Sequence, residues 1–265
     1  MTFEGGTTPL AVALFRALFS VFFMAGLCIL MGISLRLSWP MCLNMLILGA
    51  LFSHMAFGNI GSTKYIPISL AALLFFIYPP LVTLINAVIN KKYPGLIKLI
   101  AIGITFSGLG VMLGIGFEQF DHRGIIIGLT AGTACAINIV WVNRRVKNVH
   151  PFVIVFYQSI IAAVIILVLA IELEELRFPE NRVGWWGFAL IILLQSCSIP
   201  LFYFSIQRIG PESTGLFNNL QPVASIVAAV VIFNEILTGE RLVGAFMVLL
   251  GIIIVQLLEY KRIRH

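Results

Sequence analysis

The chain has 265 residues, of which 60% are hydrophobic and 11% are charged, and its mean hydropathy is +1.05. So few charged side chains exclude a water-soluble surface, and long apolar runs without polar alternation exclude a β-barrel. The net charge of +6 does not indicate nucleic-acid binding, because the basic residues lie mainly in short loops between the apolar runs.

Charged and Gly/Pro-rich breaks divide the chain into nine apolar segments, each near the length of about 20 residues with which a helix crosses a bilayer. We therefore expect an all-α, multi-pass protein of an inner (plasma) membrane with nine transmembrane helices. The predicted spans cover residues 10–33, 41–59, 66–89, 97–115, 124–142, 152–171, 187–206, 213–233 and 243–258.

Basic residues are concentrated in every second loop between these spans, and loops rich in Lys and Arg are typically cytoplasmic. Lys91 and Lys92 lie in one of them, and Arg144 and Arg145 lie in the next. The intervening loops carry most of the acidic residues and are expected to face outward. This orientation puts the C-terminus in the cytoplasm and Met1 on the outer side.

The first two spans each contain one ionisable side chain. Arg16 lies seven residues past Pro9, about 10 Å into its span. It either snorkels to the surface or has a gating or anion-attracting role. His54 either binds substrate or shuttles a proton through its titratable ring, or it simply hydrogen-bonds to a neighbouring helix.

Polar side chains share one face of the third span and one face of the eighth, and each span contains a proline that is expected to kink it. Interrupted helices at corresponding positions of two halves indicate a transporter site, whereas hydrogen bonding between helices is the alternative. The expected kinks are at Pro79 and Pro222. The predicted substrate-binding residues on these spans are Tyr78, Thr83, Asn86, Asn218, Asn219, Gln221 and Ser225.

The fifth and seventh spans add a smaller polar set, for which a cavity and simple packing are equally open interpretations. Asn138 and Trp141 lie three residues apart on the fifth span. Gln195 and Tyr203 flank the kink expected at Pro200 on the seventh. We include these four polar residues among the predicted substrate-binding residues.

The two halves of the chain share a pattern. Pro79 corresponds to Pro222, and Gly108 to Gly251, at one shift of 143 residues. The loop after the third span is basic and its counterpart after the eighth is acidic, so the halves are expected to be inverted repeats, as in many secondary transporters. We predict repeats at 1–116 and 124–260. Pro9 aligns with Pro151, so the first span corresponds to the sixth, and the fifth span has no counterpart in the first half. A complete plan would have five helices in each repeat. The chain is therefore expected to hold four plus five helices, without the first one.

Two segments carry a family resemblance: "STKYIPISLAALLFFIYPPLV" and "RIGPESTGLFNNLQPVASIVAAVVIFNEILTGERLVGAFMVLLGIIIV". They resemble the two copies of the EamA domain of the drug/metabolite transporter superfamily, with a proline inside a span, a glutamate (here Glu235) near the next loop and a closing span that contains glycine. In the first copy Lys92 stands at the position of Glu235. The resemblance implies a ten-helix carrier that works by alternating access. Glu235, as one of the few ionisable residues near a span, joins Arg16 and His54 as a gating or coupling candidate.

All eleven acidic residues lie in loops or at span ends, which disfavours proton-driven export of cations. Neutral or zwitterionic, amino-acid-like metabolites fit better, moved by an exporter or a facilitator. We find no catalytic or metal motif and expect no enzyme activity and no cofactor. The expected partners are the lipid bilayer, a small-molecule substrate and, through glycine-rich helix faces, a second copy in a homodimer. The alternative function is a non-transporting accessory subunit that a partner helix completes.

Overall fold

The computed structural model describes residues 7–66, 68–112, 121–172, 176–221, 223–224, 227 and 238–264. All regular secondary structure in these residues is α-helical, which confirms the predicted fold class. The helices are α1 (Pro9–Leu30), α2 (Trp39–Ser62), α3 (Ile68–Phe75), α4 (Tyr78–Asn90), α5 (Leu96–Met112), α6 (His122–Arg145), α7 (Pro151–Glu172), α8 (Arg182–Ile209), α9 (Pro211–Asn218) and α10 (Gly239–Arg264).

Six apolar stretches are long enough to cross a membrane, and α3 with α4 forms one of them. The segments Leu96–Met112 and Leu242–Val255 are apolar but shorter. All nine predicted spans overlap observed helices, although the eighth is described mainly at its start, in α9. The predicted site residues Pro222, Ser225 and Glu235 lie outside the described residues.

The chain divides into two compact units, and the first comprises the described residues of Met1–Phe57 and Trp141–Arg208. Its centre is α1 packed on α7 through small and aliphatic side chains. The start of α1 meets the segment after α7, where the Thr8 N–H donates to the Arg177 carbonyl at 3.2 Å. Conversely, the Tyr157 hydroxyl near the start of α7 donates to the Leu35 carbonyl, after α1, at 2.8 Å. The two helices are therefore antiparallel.

The second unit comprises the described residues of Gly58–Val140 and Ile209–His265, and α5 packed on α10 is its tightest helix pair. Glycines let the two backbones approach closely. A Cβ on Gly108 would lie 2.8 Å from the Gly244 carbonyl oxygen, and one on Gly251 would lie 2.7 Å from that of Ala101. These contacts run in opposite directions along the two helices, so this pair is also antiparallel. Gly108, Gly244 and Gly251 are thus covered by the partner helix within the chain.

Each of these pairs joins helices that correspond between the two predicted repeats. Helices α1 and α7 both have 22 residues and begin at a proline, Pro9 or Pro151. Helices α5 and α10 begin at Leu96 and Gly239, which are 143 positions apart. A two-fold axis in the membrane plane, such as relates inverted repeats, would pair equivalent helices in this antiparallel way.

Candidate functional site

The third predicted span is interrupted in its middle. Helix α3 ends at Phe75, and α4 begins at Tyr78 with Pro79 and Pro80 in its first turn. Neither proline has an N–H group, so the carbonyls of Phe75 and Phe76, four residues before them, lose their helical donors, and this favours an interruption here. The sequence predicts a kink at Pro79, and the structure has the interruption at Phe76 and Ile77, just before it.

A second, shorter interruption lies at the end of α9, where Asn219 alone leaves the helical hydrogen-bond pattern while its backbone angles stay helical, and Leu220 and Gln221 are helical again. Helix α9 stops at Asn218 and Asn219 forms a turn, its N–H donating to the Leu216 carbonyl at 3.1 Å. Helices α3 and α9 both have eight residues, and their bounds differ by the repeat shift of 143 positions. The two halves of the chain are therefore interrupted at corresponding positions.

Side chains from the two interruptions meet in the second unit. The Asn218 amide Nδ2 donates to the hydroxyl of Tyr78 at 2.6 Å, and Tyr78 is completely buried. Asn219 is only 2% exposed, and its Oδ1 accepts no hydrogen bond from any described residue. An unsatisfied buried acceptor costs about 1–3 kcal/mol. Asn219 therefore has a buried polar atom at the interruption that no described residue satisfies.

The first turns of α4 extend this polar region. Thr83 and Asn86 are buried on the same face of α4 as Tyr78. The backbone of α6 lies against the other side of the break, since a Cβ on Gly132 would come within 2.7 Å of the Leu74 carbonyl oxygen. On α6, Asn138 is also buried.

The first unit contains a separate polar group around Arg16. The Arg16 guanidinium donates to Gln195 Oε1 at 2.6 Å and lies 5.5 Å from the ring centre of Phe52. Within the described part of the chain, no carboxylate pairs with it. One turn farther along, the hydroxyls of Ser20 and Ser196 share a buried hydrogen bond of 2.7 Å.

A second buried pair connects α7 and α8. The Tyr203 hydroxyl donates to Gln158 Oε1 at 2.6 Å, and both side chains are buried. The Gln158 Nε2 has no acceptor among the described residues. Gln158 aligns with Arg16 in the repeat, so both aligned positions hold a polar side chain. Helix α8 continues through Pro200 without interruption.

The structure thus groups the predicted site residues by unit. Trp141 donates to Asn44 Oδ1 at 2.9 Å, and His54 is exposed on α2. Gln221, in the second unit, is exposed. The first unit holds Arg16, His54, Trp141, Gln195, Pro200 and Tyr203, and the second holds Tyr78, Pro79, Thr83, Asn86, Asn138, Asn218, Asn219 and Gln221.

Several polar side chains that contact the predicted site residues, or each other, were not predicted from the sequence. Asn44, Ser20 and Ser196 are polar side chains inside spans and could have been noted on that ground alone. The ion pair between Lys98 and Glu212 is different, because its members are 114 positions apart and each lies near a helix start. Among the described residues, no three His, Cys, Asp or Glu side chains lie close enough to hold a metal ion.

The chain is similar to known proteins of one transporter family. Residues 122–257 match the model of the EamA-like transporter family. An uncharacterized transporter of Synechocystis sp. is 25% identical over 76% of this chain and 62% of its own length. The uncharacterized transporter YyaM of Bacillus subtilis is 24% identical over 69% and 62%, respectively. The uncharacterized inner membrane transporter YhbE of Escherichia coli is 28% identical over 51% and 43%.

The chain therefore spans less than two thirds of the length of these curated relatives. A crystal structure of another protein matches the fold with a TM-score of 0.79 and 19% identity, over 97% of this chain and 91% of that one.

Proposed function

The chain belongs to the EamA-like transporter family, and from that premise we propose that it is a secondary carrier of small neutral or zwitterionic, amino-acid-like metabolites that works by alternating access. It is a multi-pass membrane protein, and its family is one of transporters rather than enzymes. We further propose that it acts as an exporter or a facilitator in an inner membrane, the location that the name of its relative from Escherichia coli gives for that protein.

The paired helix interruptions are the observation that carries this proposal. Carriers built from inverted repeats bind substrate at discontinuous helices in corresponding positions of the two halves, because unwound backbone exposes polar groups inside the membrane. The breaks after Phe75 and Asn218 fit that plan, and the Asn218–Tyr78 hydrogen bond joins them. The Oδ1 of Asn219, which accepts no hydrogen bond from the described residues, adds a buried acceptor that a substrate N–H group would satisfy.

The charges of the described polar groups support the substrate class. The groups at the interruptions are amides and hydroxyls, which recognise neutral hydrogen-bonding molecules. None of the described polar residues at the interruptions is a carboxylate, the group that would hold a cation inside a membrane. A substrate with an amine and a carboxylate, or with neutral polar groups, matches this chemistry better than a cation.

The test is transport in proteoliposomes that contain the purified protein. Radiolabelled amino acids are offered both as zwitterions and as carboxamides, and uptake is compared between the wild type and Asn219→Leu. We expect the variant to lose at least about tenfold in transport, the effect of about one lost hydrogen bond to substrate. Its thermal stability should be retained or raised, because leucine removes an unsatisfied buried acceptor while keeping a similar side-chain size.

Thr133→Val is the matched control, since it also replaces a polar side chain by an apolar one, on α6. The Thr133 hydroxyl donates to the Leu129 carbonyl of its own helix and the side chain is exposed. This variant should transport like the wild type. Normal transport by Asn219→Leu would contradict the site. A folded wild-type protein that moves none of the solutes would instead favour the accessory-subunit alternative.

A further inference from the structure

A cavity of about 350 Å³ lies in the first unit, between the loop that joins α6 to α7 and the last turns of α8. It is separate from the polar groups described above, which lie farther inside the helices. Its polar and aromatic lining comes from Lys147, Asn148, His150, Phe204, Gln207 and Arg208. The established family and the carrier proposal assign it no role.

The electrostatic character of this cavity is positive and uncompensated. Lys147 and Arg208 are exposed, and neither forms an ion pair with any residue that the structure describes. The sequence itself contains no Asp or Glu between residues 141 and 171 or between 181 and 211. Glu212 follows directly after the second of these ranges, but it pairs with Lys98 and does not line the cavity. Two cations that share a concave wall without an acid in its lining attract an anion, and the low-dielectric wall strengthens that attraction.

The cavity walls are held in place by contacts of their own. Gln207 Nε2 donates to the Val149 carbonyl at 2.8 Å, which ties α8 to the loop. The His150 ring packs edge-on against Phe152 and Phe204, with ring centres 4.8 and 5.3 Å away. These bonds and ring contacts fix the loop, so the cavity does not depend on a ligand to form.

The cavity also lies at a defined depth. Three apolar spans end around it: His122–Arg145, Pro151–Glu172 and Arg182–Ile209. Helices of this length begin and end near the headgroup region of a bilayer. An anionic group held there can thus come from a lipid or from the adjoining water.

We propose that this cavity binds a phosphate group, which Lys147 and Arg208 hold by charge-assisted hydrogen bonds and Asn148 by its amide. Phosphate offers several strong acceptor oxygens, and lysine and arginine together are its usual protein ligands. Basic pockets between transmembrane helices bind the headgroups of anionic lipids in this way. The inference does not rest on the carrier proposal, because the binding requires no transport.

The experiment measures binding to delipidated protein in detergent with two probes. One is phosphatidylglycerol, with phosphatidylcholine as the zwitterionic comparison, followed by native mass spectrometry. The other is inorganic pyrophosphate, followed by calorimetric titration. The test variant is Lys147→Gln/Arg208→Gln. The matched control is Arg36→Gln/Lys92→Gln, which removes the same charge from two other loops, where both side chains are also exposed.

We expect the wild type to bind phosphatidylglycerol at least about tenfold more tightly than phosphatidylcholine, with that preference lost in the test variant and kept in the control. Lys147→Arg/Arg208→Lys should restore it, which separates charge loss from a folding defect. Tight binding of pyrophosphate with the same dependence on Lys147 and Arg208 would identify a soluble phosphate as the source. Equal loss in the test and control variants, or no preference for either phosphate probe, would overturn the proposal.

Discussion

At the residue scale, a hydrogen bond at the start of α7 depends on the protonation state of His150. It precedes the first residue of α7, and its Nδ1 accepts a hydrogen bond from the Phe152 N–H at 3.3 Å. An acceptor nitrogen carries no proton, so this cap exists only with the neutral ring. Burial lowers the pKa of His150 below its ordinary value of 6.5, which agrees with a neutral ring at pH 7.

The lowered pKa of His150 predicts a pH dependence of stability. Because the folded pKa lies below the unfolded value of about 6.5, the unfolded chain binds the proton more readily. The stabilisation is therefore complete above about pH 6.5 and is lost as pH falls through the folded pKa. Thermal unfolding of the purified protein should show a lower midpoint at pH 5 than at pH 7.5.

His150→Asn is the control for this effect. The asparagine side chain accepts a capping hydrogen bond but does not titrate in this range. The fall in unfolding midpoint between pH 7.5 and pH 5 should be smaller in this variant than in the wild type. An identical fall in both proteins would assign the pH dependence to other groups.

At the scale of the elements, α5 and α10 are held together by close backbone contact. Inside a membrane, helices associate through packing rather than the hydrophobic effect, so small residues at the contact matter most. A Cβ on Gly251 would meet the side chain of Thr105 and the carbonyl of Ala101. Neither can move far, because Thr105 also donates to that carbonyl at 2.9 Å.

Gly251→Ala should therefore destabilise the protein, by about 1–3 kcal/mol, the usual cost of overpacking a tight contact. Gly103→Ala, on α5, is the matched control, because nothing lies within 4 Å of its added Cβ. That change should be neutral or stabilising, since alanine favours a helix over glycine by about 0.5–1 kcal/mol. Unfolding in a graded denaturing detergent measures both, and equal midpoints for the two variants would contradict the packing argument.

The positions of the helices show which structural features can be predicted from the sequence. Apolar runs are local, so the predicted spans overlap the observed helices, and α7 differs from its predicted span by one residue at each end. Helix α8 begins at Arg182, five residues before the predicted start, because the helix extends through Trp185 and Trp186 past the most apolar segment. The break before Pro79 was predicted only as a kink. Two adjacent prolines remove consecutive backbone donors, and that effect falls on the residues before them.

The candidate site was less predictable than the helices, for a physical reason. That Asn219, Thr83 and Asn86 are polar and lie within an apolar span is evident from the sequence, and all three are buried. Their partners are not evident. Arg16 and Gln195 are 179 positions apart, and their hydrogen bond depends on how α1 and α8 pack. A pattern along one helix determines which face is polar, but not which side chain from another helix will meet that face.

At the scale of the whole molecule, the remaining question is which loops share a side of the membrane. Charge predicts that the loops containing Lys92 and Asn148 are both cytoplasmic and that the loop containing Glu180 faces outward. Two helices, α5 and α6, separate the first two loops, and α7 separates the last two. Helix α5 is the shortest of these three helices. Its 17 described residues span about 26 Å, slightly less than the hydrocarbon thickness of about 30 Å, so its crossing needs a direct test.

Cysteine labelling tests this topology directly. The four native cysteines, all free thiols, are replaced by serine, and one cysteine is introduced at a time by Lys92→Cys, Asn148→Cys or Glu180→Cys. All three positions are exposed. With a membrane-impermeant maleimide on intact cells, only Glu180→Cys should react, and all three should react after permeabilisation. If Lys92→Cys and Asn148→Cys behave differently from each other, α5 and α6 do not both cross the bilayer, and the inverted-repeat arrangement built on their crossing would be wrong.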